Sequence, residues 1–93
     1  GNNSVASDFS LSQNYPNPFN PATTIQYSLA LNSNVRISIF DALGREVAVP
    51  VNEVKQAGSY ELSFDGTDLS SGIYYYRINA GSFTDIKKMI LIK

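Results

Sequence analysis

Apolar and polar residues alternate along most of this chain, in short segments separated by turn-forming residues. Successive side chains of a β-strand point to opposite faces, so a period of two is typical of half-buried strands. The alternating segments are residues 24–29, 35–40, 46–51, 59–64, 73–80 and 83–93. We find no segment with the 3.6-residue period of a helix. Short strands at regular spacing predict an all-β domain, either a sandwich or a barrel.

The phase of the alternation predicts which side chains form the core. The residues expected inside share one face of each strand: Ile25, Tyr27, Ile37, Ile39, Tyr60, Leu62, Tyr74, Tyr76 and Ile78. The last segment is ambiguous, because both of its faces are apolar, with Met89 and Leu91 on one and Ile90 and Ile92 on the other. Only one face of a strand meets the core of a sandwich. One of these two pairs is therefore expected to stay partly exposed beside the flanking lysines.

Three prolines lie close together in the segment from Asn14 to Pro21. Each proline fixes its own φ and lacks a backbone donor, and the residue before it is pushed to extended backbone. The segment is therefore predicted to be an ordered loop rather than a helix or a central strand. We expect its two aromatic residues, Tyr15 and Phe19, to be anchored on the core.

Glycine stands two residues before tyrosine at two predicted strand starts, in Gly58-Ser59-Tyr60 and in Gly72-Ile73-Tyr74. The second case fits a tyrosine corner, in which the hydroxyl group bonds to upstream backbone. A run of three tyrosines begins at Tyr74, but the alternation leaves only Tyr75 pointing outward. Core packing is therefore favoured over a sugar-binding platform in this run, because aromatic side chains dominate small cores.

The chain has 93 residues and contains no Cys, His or Trp. That length suits a single domain, and the missing side chains exclude thiol nucleophiles, Ser–His pairs and thiol- or imidazole-based zinc sites. The carboxylates lie mostly at predicted turns or exposed strand positions, so we expect no catalytic pair, no cofactor and no resident metal. Asp65 and Asp68 are weak candidates for a calcium site, but the spacing of an EF-hand loop is absent and a plain turn is favoured.

The formal net charge of −1 argues against a nucleic-acid partner, which requires clustered basic side chains. The basic residues gather late in the chain: residues 77–93 carry four of them and one carboxylate, a net charge of +3. A basic strand with two apolar faces could dock on an acidic receptor, but from the residues alone ordinary edge protection by lysine is favoured. No apolar run approaches the roughly 20 residues that span a bilayer. No signal peptide is visible, so an exported protein would carry one upstream on a longer parent chain.

Particular residues add a resemblance to a known family. The stretch from Phe9 to Ile25 closely resembles the opening of type A C-terminal sorting domains of the type IX (Por) secretion system. Later stretches are similar to the family in the same order: residues 35–40, 41–47, 57–60, 65–66 and 71–74, and the ending 88–93. Two departures concern packing, since Ala30 stands where the family often has Pro and Phe64 where Trp is common.

The resemblance implies an Ig-like antiparallel β-sandwich of about seven strands, formed by residues 9–93. It implies a structural role for the residues of the matching motifs: Tyr15, Pro16, Pro18, Phe19, Pro21, Gly44, Gly58, Gly72 and Tyr74. It also implies that the ending is read by the secretion translocon, through Lys88, Met89, Ile90, Leu91, Ile92 and Lys93. Residues 1–8 are then a linker to an upstream cargo domain.

The function implied by the resemblance is that of a non-catalytic sorting signal, which directs a larger exported protein across the bacterial outer membrane. The protein would pass through the periplasm and end secreted or on the cell surface. Its partners would be the outer-membrane secretion machinery and a surface sorting protease, and the isolated domain would be monomeric. Two alternatives remain: an Ig-like assembly module similar to that of flagellar hook-capping proteins, and an accessory carbohydrate-binding domain of a secreted glycosidase.

Overall fold

The computed structural model describes residues 8–93, which form two antiparallel β-sheets around one core. The seven strands are β1 (Ser10–Leu11), β2 (Ala22–Leu29), β3 (Ser33–Asp41), β4 (Glu46–Lys55), β5 (Gly58–Asp65), β6 (Gly72–Ala80) and β7 (Phe83–Leu91). The smaller sheet has the order β1-β2-β5 and the larger sheet the order β4-β3-β6-β7. The expected Ig-like sandwich is confirmed. In residues 8–93 there is no helix capable of spanning a membrane, and the linker expected at residues 1–8 lies, except for its last residue, outside the described part.

The core contains most of the side chains that the alternation placed there. Seven of the nine expected residues are buried, because their side chains point into the space between the two sheets. Tyr60 and Leu62 are only partly buried and pack against the outside of the cluster. The reason is that β5 is an edge strand of the smaller sheet, where one side of each inward residue still meets solvent. The Tyr60 ring compensates by stacking on Tyr27, with centroids 5.3 Å apart.

The hairpin between β3 and β4 is closed by one aspartate. The Asp41 carboxylate accepts hydrogen bonds from the backbone N–H groups of Leu43 and Arg45, at 2.9 and 3.0 Å, and from the Arg45 side chain at 2.8 Å. The hydrogen bond from the Arg45 backbone is the main cause that lowers the pKa of Asp41. Gly44 has a φ of +84°, a left-handed conformation that glycine adopts without steric cost.

Strand β4 is longer than the alternation predicted, and it is bulged. Ile37 lies opposite Val51 and Ile39 lies opposite Ala48, so β4 uses one residue more than β3 between these pairs. The extra residue falls beside Pro50, which has no N–H to offer a ladder. The bulge breaks the period of two inside the predicted segment, which explains why Ala48 and Val51, three residues apart, both pack toward the core. The bulge and the proline also blunt this edge of the larger sheet against strand addition.

The two Gly-x-Tyr motifs form the same local bond. The hydroxyl of Tyr74 donates to the carbonyl oxygen of Ser70, and that of Tyr60 donates to the carbonyl of Gln56, each at 2.6 Å. The expected tyrosine corner at Tyr74 is thus present, and the shorter echo at Tyr60 repeats it across the sandwich.

Replacing Tyr74 by Phe is expected to lower the free energy of unfolding by about 1 kcal/mol, because the corner bond is lost from a buried side chain. Urea unfolding of Y74F measures this cost. Y60F is the matched control: it removes the same bond at a more exposed position, so its cost should be smaller. Equal costs for both variants would contradict the link to burial.

Candidate recognition surface

The ending of the chain, residues 88–93, provides the last part of β7 and two residues beyond it. Met89 and Leu91 point into the core and are 0% and 1% exposed. Ile90 lies on the opposite face and is partly buried, while Ile92 is 52% exposed. The structure therefore resolves the ambiguity of this strand: the Met–Leu pair packs inside, and the isoleucines remain outside.

The proline-rich segment runs along the outer edge of this ending. Phe19 forms a short parallel bridge there: its N–H donates to the carbonyl of Ile90, and its own carbonyl accepts from the N–H of Ile92, both at 2.9 Å. The Asn17 side chain accepts a hydrogen bond from the N–H of Ile90 at 2.9 Å. The Gln13 amide donates to the carbonyl of Lys88 at 2.7 Å. These four bonds occupy both backbone groups of Ile90, the carbonyl of Lys88 and the N–H of Ile92, which a strand added here would need.

The two aromatic residues of the segment have different environments. Phe19 is buried as expected and makes an edge-on contact with the ring of Phe64, at 6.4 Å between centroids. The expectation is wrong for Tyr15, whose side chain is 81% exposed. The backbone of Tyr15 pairs with that of Thr24 through two hydrogen bonds, which extends the smaller sheet. Paired residues point to the same side of a sheet, so the Tyr15 ring shares the outer face with Thr24.

A buried polar network fixes the start of the loop. The backbone N–H of Asn14 donates to the hydroxyl of Tyr76 at 2.8 Å, and that hydroxyl donates to the carbonyl of Ser12 at 2.7 Å. The Asn14 amide donates to Thr23, whose hydroxyl in turn donates to the carbonyl of Pro16. Burial raises the pKa of Tyr76 to about 12, so its hydroxyl stays protonated even in moderately alkaline solution. The alternation of apolar and polar residues predicts that Tyr76 lies in the core but does not indicate this role.

The peptide bonds that precede Pro16, Pro18 and Pro21 are all cis. Pro21 also ties the loop to the turn after β5, because its carbonyl accepts the N–H of Gly66 at 2.8 Å. A Cβ atom at Gly66 would lie 3.1 Å from Leu91 and 3.3 Å from the Phe19 ring. Glycine therefore lets the turn approach the point where the loop meets the ending.

Lys93, one of the six expected recognition residues, is engaged within the domain. Its ammonium group donates to the carbonyl of Leu69 at 2.7 Å and to that of Thr67. Its backbone N–H donates to the Ser71 hydroxyl at 2.9 Å. The Lys93 side chain thus ties the end of the chain to the turn between β5 and β6. These contacts give Lys93 a structural role.

The two calcium candidates belong to this same turn. The Asp65 carboxylate accepts hydrogen bonds from the hydroxyl and the backbone N–H of Thr67, and these two bonds, in that order, lower the pKa of Asp65. Within residues 8–93, no three acidic side chains come together in a way that could hold a metal ion. The contacts of Asp65 are those of an Asx turn, in which the carboxylate orders nearby backbone.

The outward side of β6 and β7 carries a continuous apolar and basic surface. Cross-strand pairing places Ile90 opposite Ile73, Lys88 opposite Tyr75, and Ile86 opposite Arg77. We call this surface the β6–β7 face and define it by these six residues. The Arg77 guanidinium also lies over the ring of Phe40, on β3, at 4.8 Å from its centroid. Lys88 and Ile90 were predicted recognition residues. The other four could not be predicted as members of the same surface, because only the strand register brings them together.

A protein-family model and a solved structure are similar to this chain. The family model described as "Secretion system C-terminal sorting domain" matches residues 13–93. A solved structure of PorZ, an essential bacterial surface component of the type IX secretion system of Porphyromonas gingivalis, has a similar fold, with a TM-score of 0.59 and 20% sequence identity. That likeness covers 96% of this chain and 12% of the PorZ chain. No curated protein sequence matches significantly. Because the family model covers most of the chain, this protein belongs to the family of secretion system C-terminal sorting domains.

Proposed function

We propose that this sorting domain is a type A signal of the type IX secretion system, attached through residues 1–8 to an upstream cargo. It directs the exported protein from the periplasm through the outer membrane, has no catalytic activity of its own, and is monomeric when isolated. The family match over residues 13–93 supports this function. It favours neither the hook-capping alternative nor the glycosidase accessory domain. The partners are the outer-membrane machinery and, after transport, a surface protease that cuts the linker.

The observation that carries the proposal is the exposed β6–β7 face beside the ending of the chain. Of the six residues expected to be read, Lys88, Ile90 and Ile92 offer side chains to a partner. Met89 and Leu91 lie inside, and the ammonium group of Lys93 is bonded to the domain itself. The receptor therefore reads Lys88, Ile90 and Ile92, together with their neighbours on β6.

The way in which the receptor docks follows from the occupied edge. Adding a strand beside Lys88–Ile92 would require breaking the bonds that Gln13, Asn17 and Phe19 make there. Breaking each of these hydrogen bonds costs about 1 kcal/mol of free energy. Face docking breaks none of them and buries the isoleucines instead, at about 25 cal/mol per Å² of apolar surface. A matching receptor surface has an apolar centre and acidic groups placed to meet Lys88 and Arg77.

A fusion protein tests the proposed function directly. The 93-residue chain is joined to the C-terminus of a folded reporter that carries an N-terminal export signal, in a bacterium with a type IX system. The reporter is expected outside the cells or on their surface. In a strain without the outer-membrane translocon it should stay in the periplasm. Equal release from both strains would overturn the assignment to this system.

Exchanging Ile90, on the β6–β7 face, together with Ile92, two residues further along the chain, for Thr in this fusion is expected to reduce release of the reporter by about tenfold, because two apolar contacts with the receptor are removed. The domain should keep its melting temperature within a few degrees, since neither side chain belongs to the core cluster. Leu31 and Val54, which are 67% and 75% exposed, provide the matched control. Their exchange for Thr should leave release unchanged. Normal release of the folded Ile90/Ile92 variant would contradict recognition through this face.

A further inference from the structure

The outer face of the smaller sheet has a different chemistry from the β6–β7 face. Strand pairing sets Ser10, Ser28 and Ser59 in one row across this sheet, Gln26 and Glu61 in the next, and Tyr15, Thr24 and Ser63 in the third. Every outward side chain in these rows carries a hydroxyl, amide or carboxylate group. The one large apolar surface among them is the ring of Tyr15, at one end of the rows. Successive rows are separated by about 7 Å, the length of two strand residues.

Two adjoining hollows turn this face into a groove. The larger has a volume of about 570 Å³ and follows the serine row. The smaller, of about 300 Å³, lies beside Gln13, Tyr15 and Thr24. Both are lined by Gln26 and Glu61, so they meet at the middle row. We call the combined depression the polar groove.

We propose that the polar groove binds a neutral glycan, with one sugar ring stacked on Tyr15 and the following rings over the Gln26–Glu61 row and the serines. The exposed tyrosine ring offers a flat apolar face, which matches the C–H face of a sugar. The Gln26 amide donates to the Glu61 carboxylate at 2.9 Å, so both side chains are held in one arrangement. The second amide hydrogen of Gln26 and the second oxygen of Glu61 remain for sugar hydroxyls.

Charge and shape favour a neutral glycan over other ligands. The lining of the groove contains the carboxylates of Asp8 and Glu61 and includes neither lysine nor arginine, so phosphates, nucleic acids and acidic sugars are repelled. An extended peptide docks by adding to a free sheet edge or by filling apolar pockets. The groove runs across the face of a sheet, and its aromatic lining residues, Tyr15, Tyr27 and Tyr60, lie among hydroxyl, amide and carboxylate groups. Serine and glutamine side chains instead suit a ligand made almost wholly of hydroxyl groups.

The groove lies on the opposite outer side of the sandwich from the β6–β7 face, so both surfaces are accessible in one molecule. Glycan binding is therefore independent of the sorting function. Until the linker is cut, the groove would hold the exported protein close to a polysaccharide, either the producing cell's own or one in its surroundings. The two sources share the same neutral sugar chemistry and are separated by the probes below.

Titration of the 15N-labelled 93-residue chain tests the proposal. The probes are cellohexaose, maltohexaose and a neutral polysaccharide purified from the envelope of the producing bacterium. At least one is expected to give saturable shifts at the backbone amides of Gln26, Ser28 and Glu61. Saturation by a hexaose indicates an external glycan, and saturation by the envelope polysaccharide alone indicates the cell's own. If no probe produces saturable shifts, or if the shifts fall on the β6–β7 face, the proposal is wrong.

Two variants of Tyr15 separate stacking from non-specific binding. Tyr15→Ala removes the ring and should raise the dissociation constant about tenfold, the effect of losing one aromatic contact. Tyr15→Phe retains the ring and should bind within about twofold of the natural chain. The side chain is largely exposed and its sheet bonds come from the backbone, so both variants should fold. Undiminished binding by the folded Tyr15→Ala variant would also overturn the proposal.

Discussion

Deleting residues 88–93 is expected to unfold the domain rather than merely to remove a signal. The deletion takes Met89 and Leu91 out of the core, and each such loss costs about 2–5 kcal/mol even when the backbone remains. It also removes the end of a strand paired with β6 and the bridge partner of Phe19. The total stability of a small domain is about 5–15 kcal/mol, which these losses largely or wholly consume. The truncated chain should show no cooperative thermal transition in circular dichroism.

This result would change how truncation experiments are understood. A shortened fusion that remains in the periplasm has lost both its fold and the candidate recognition surface. Its retention therefore does not show which of the two losses is responsible. The matched comparison is the Ile90/Ile92 exchange, which leaves the core residues in place. A truncated domain that still melts cooperatively near the temperature of the complete one would show that the ending is dispensable for the sandwich.

Replacing Phe19 by Ala is expected to lower the free energy of unfolding by about 3–5 kcal/mol, the usual cost of removing a buried phenylalanine ring. The ring fills the space between Phe64, Gly66 and Leu91, three positions on separate parts of the chain. Because the Phe19 backbone also bonds to the ending, a loosened loop would give up these hydrogen bonds as well. Urea unfolding followed by tyrosine fluorescence measures the change.

Tyr15→Ala is the matched control for this experiment, because it removes an aromatic ring from the same loop. Its side chain is exposed, and substitutions at such positions change stability by about 0.5 kcal/mol or less. A large loss for Tyr15→Ala, or a small one for Phe19→Ala, would show that the loop is not fastened at Phe19. The loop would then depend on its prolines and on the Asn14 network instead.

The strands were largely predictable because a period of two can be read directly from neighbouring residues. β1 could not be found in this way, since its two residues are too few to display a period. Which strand lies at an edge is also absent from the local pattern, and for that reason the burial of Tyr60 was overestimated. The error at Tyr15 has a similar origin. An aromatic residue in a loop suggests a core anchor, but backbone pairing with Thr24 turns its side chain to the outer face.

The candidate recognition surface was predictable only in part. The sequence indicated that one face of the ending stays outside, and the pairing of β7 with β6 determined which one. The bonds of Lys93 to Thr67 and Leu69 join residues 24–26 positions apart, and no local pattern announces them. The neighbours of Ile90 on β6 depend on strand register for the same reason. Contacts between distant parts of the chain are therefore what the sequence left undetermined.

The proline-rich loop is hydrogen-bonded to the last strand, so the domain can complete its fold only after the last strand has been synthesised. Asn17 and Ile90, which share a hydrogen bond, are 73 positions apart, so the ribosome makes one long before the other. A chain whose synthesis stops before residue 88 contains every loop residue but has nothing to fasten it to. Its larger sheet lacks the end of β7, and Phe19 lacks its neighbour Leu91. Under the recognition proposed above, a fragment that stops before residue 88 lacks the surface that the export machinery reads, and no separate inspection step is needed to retain it.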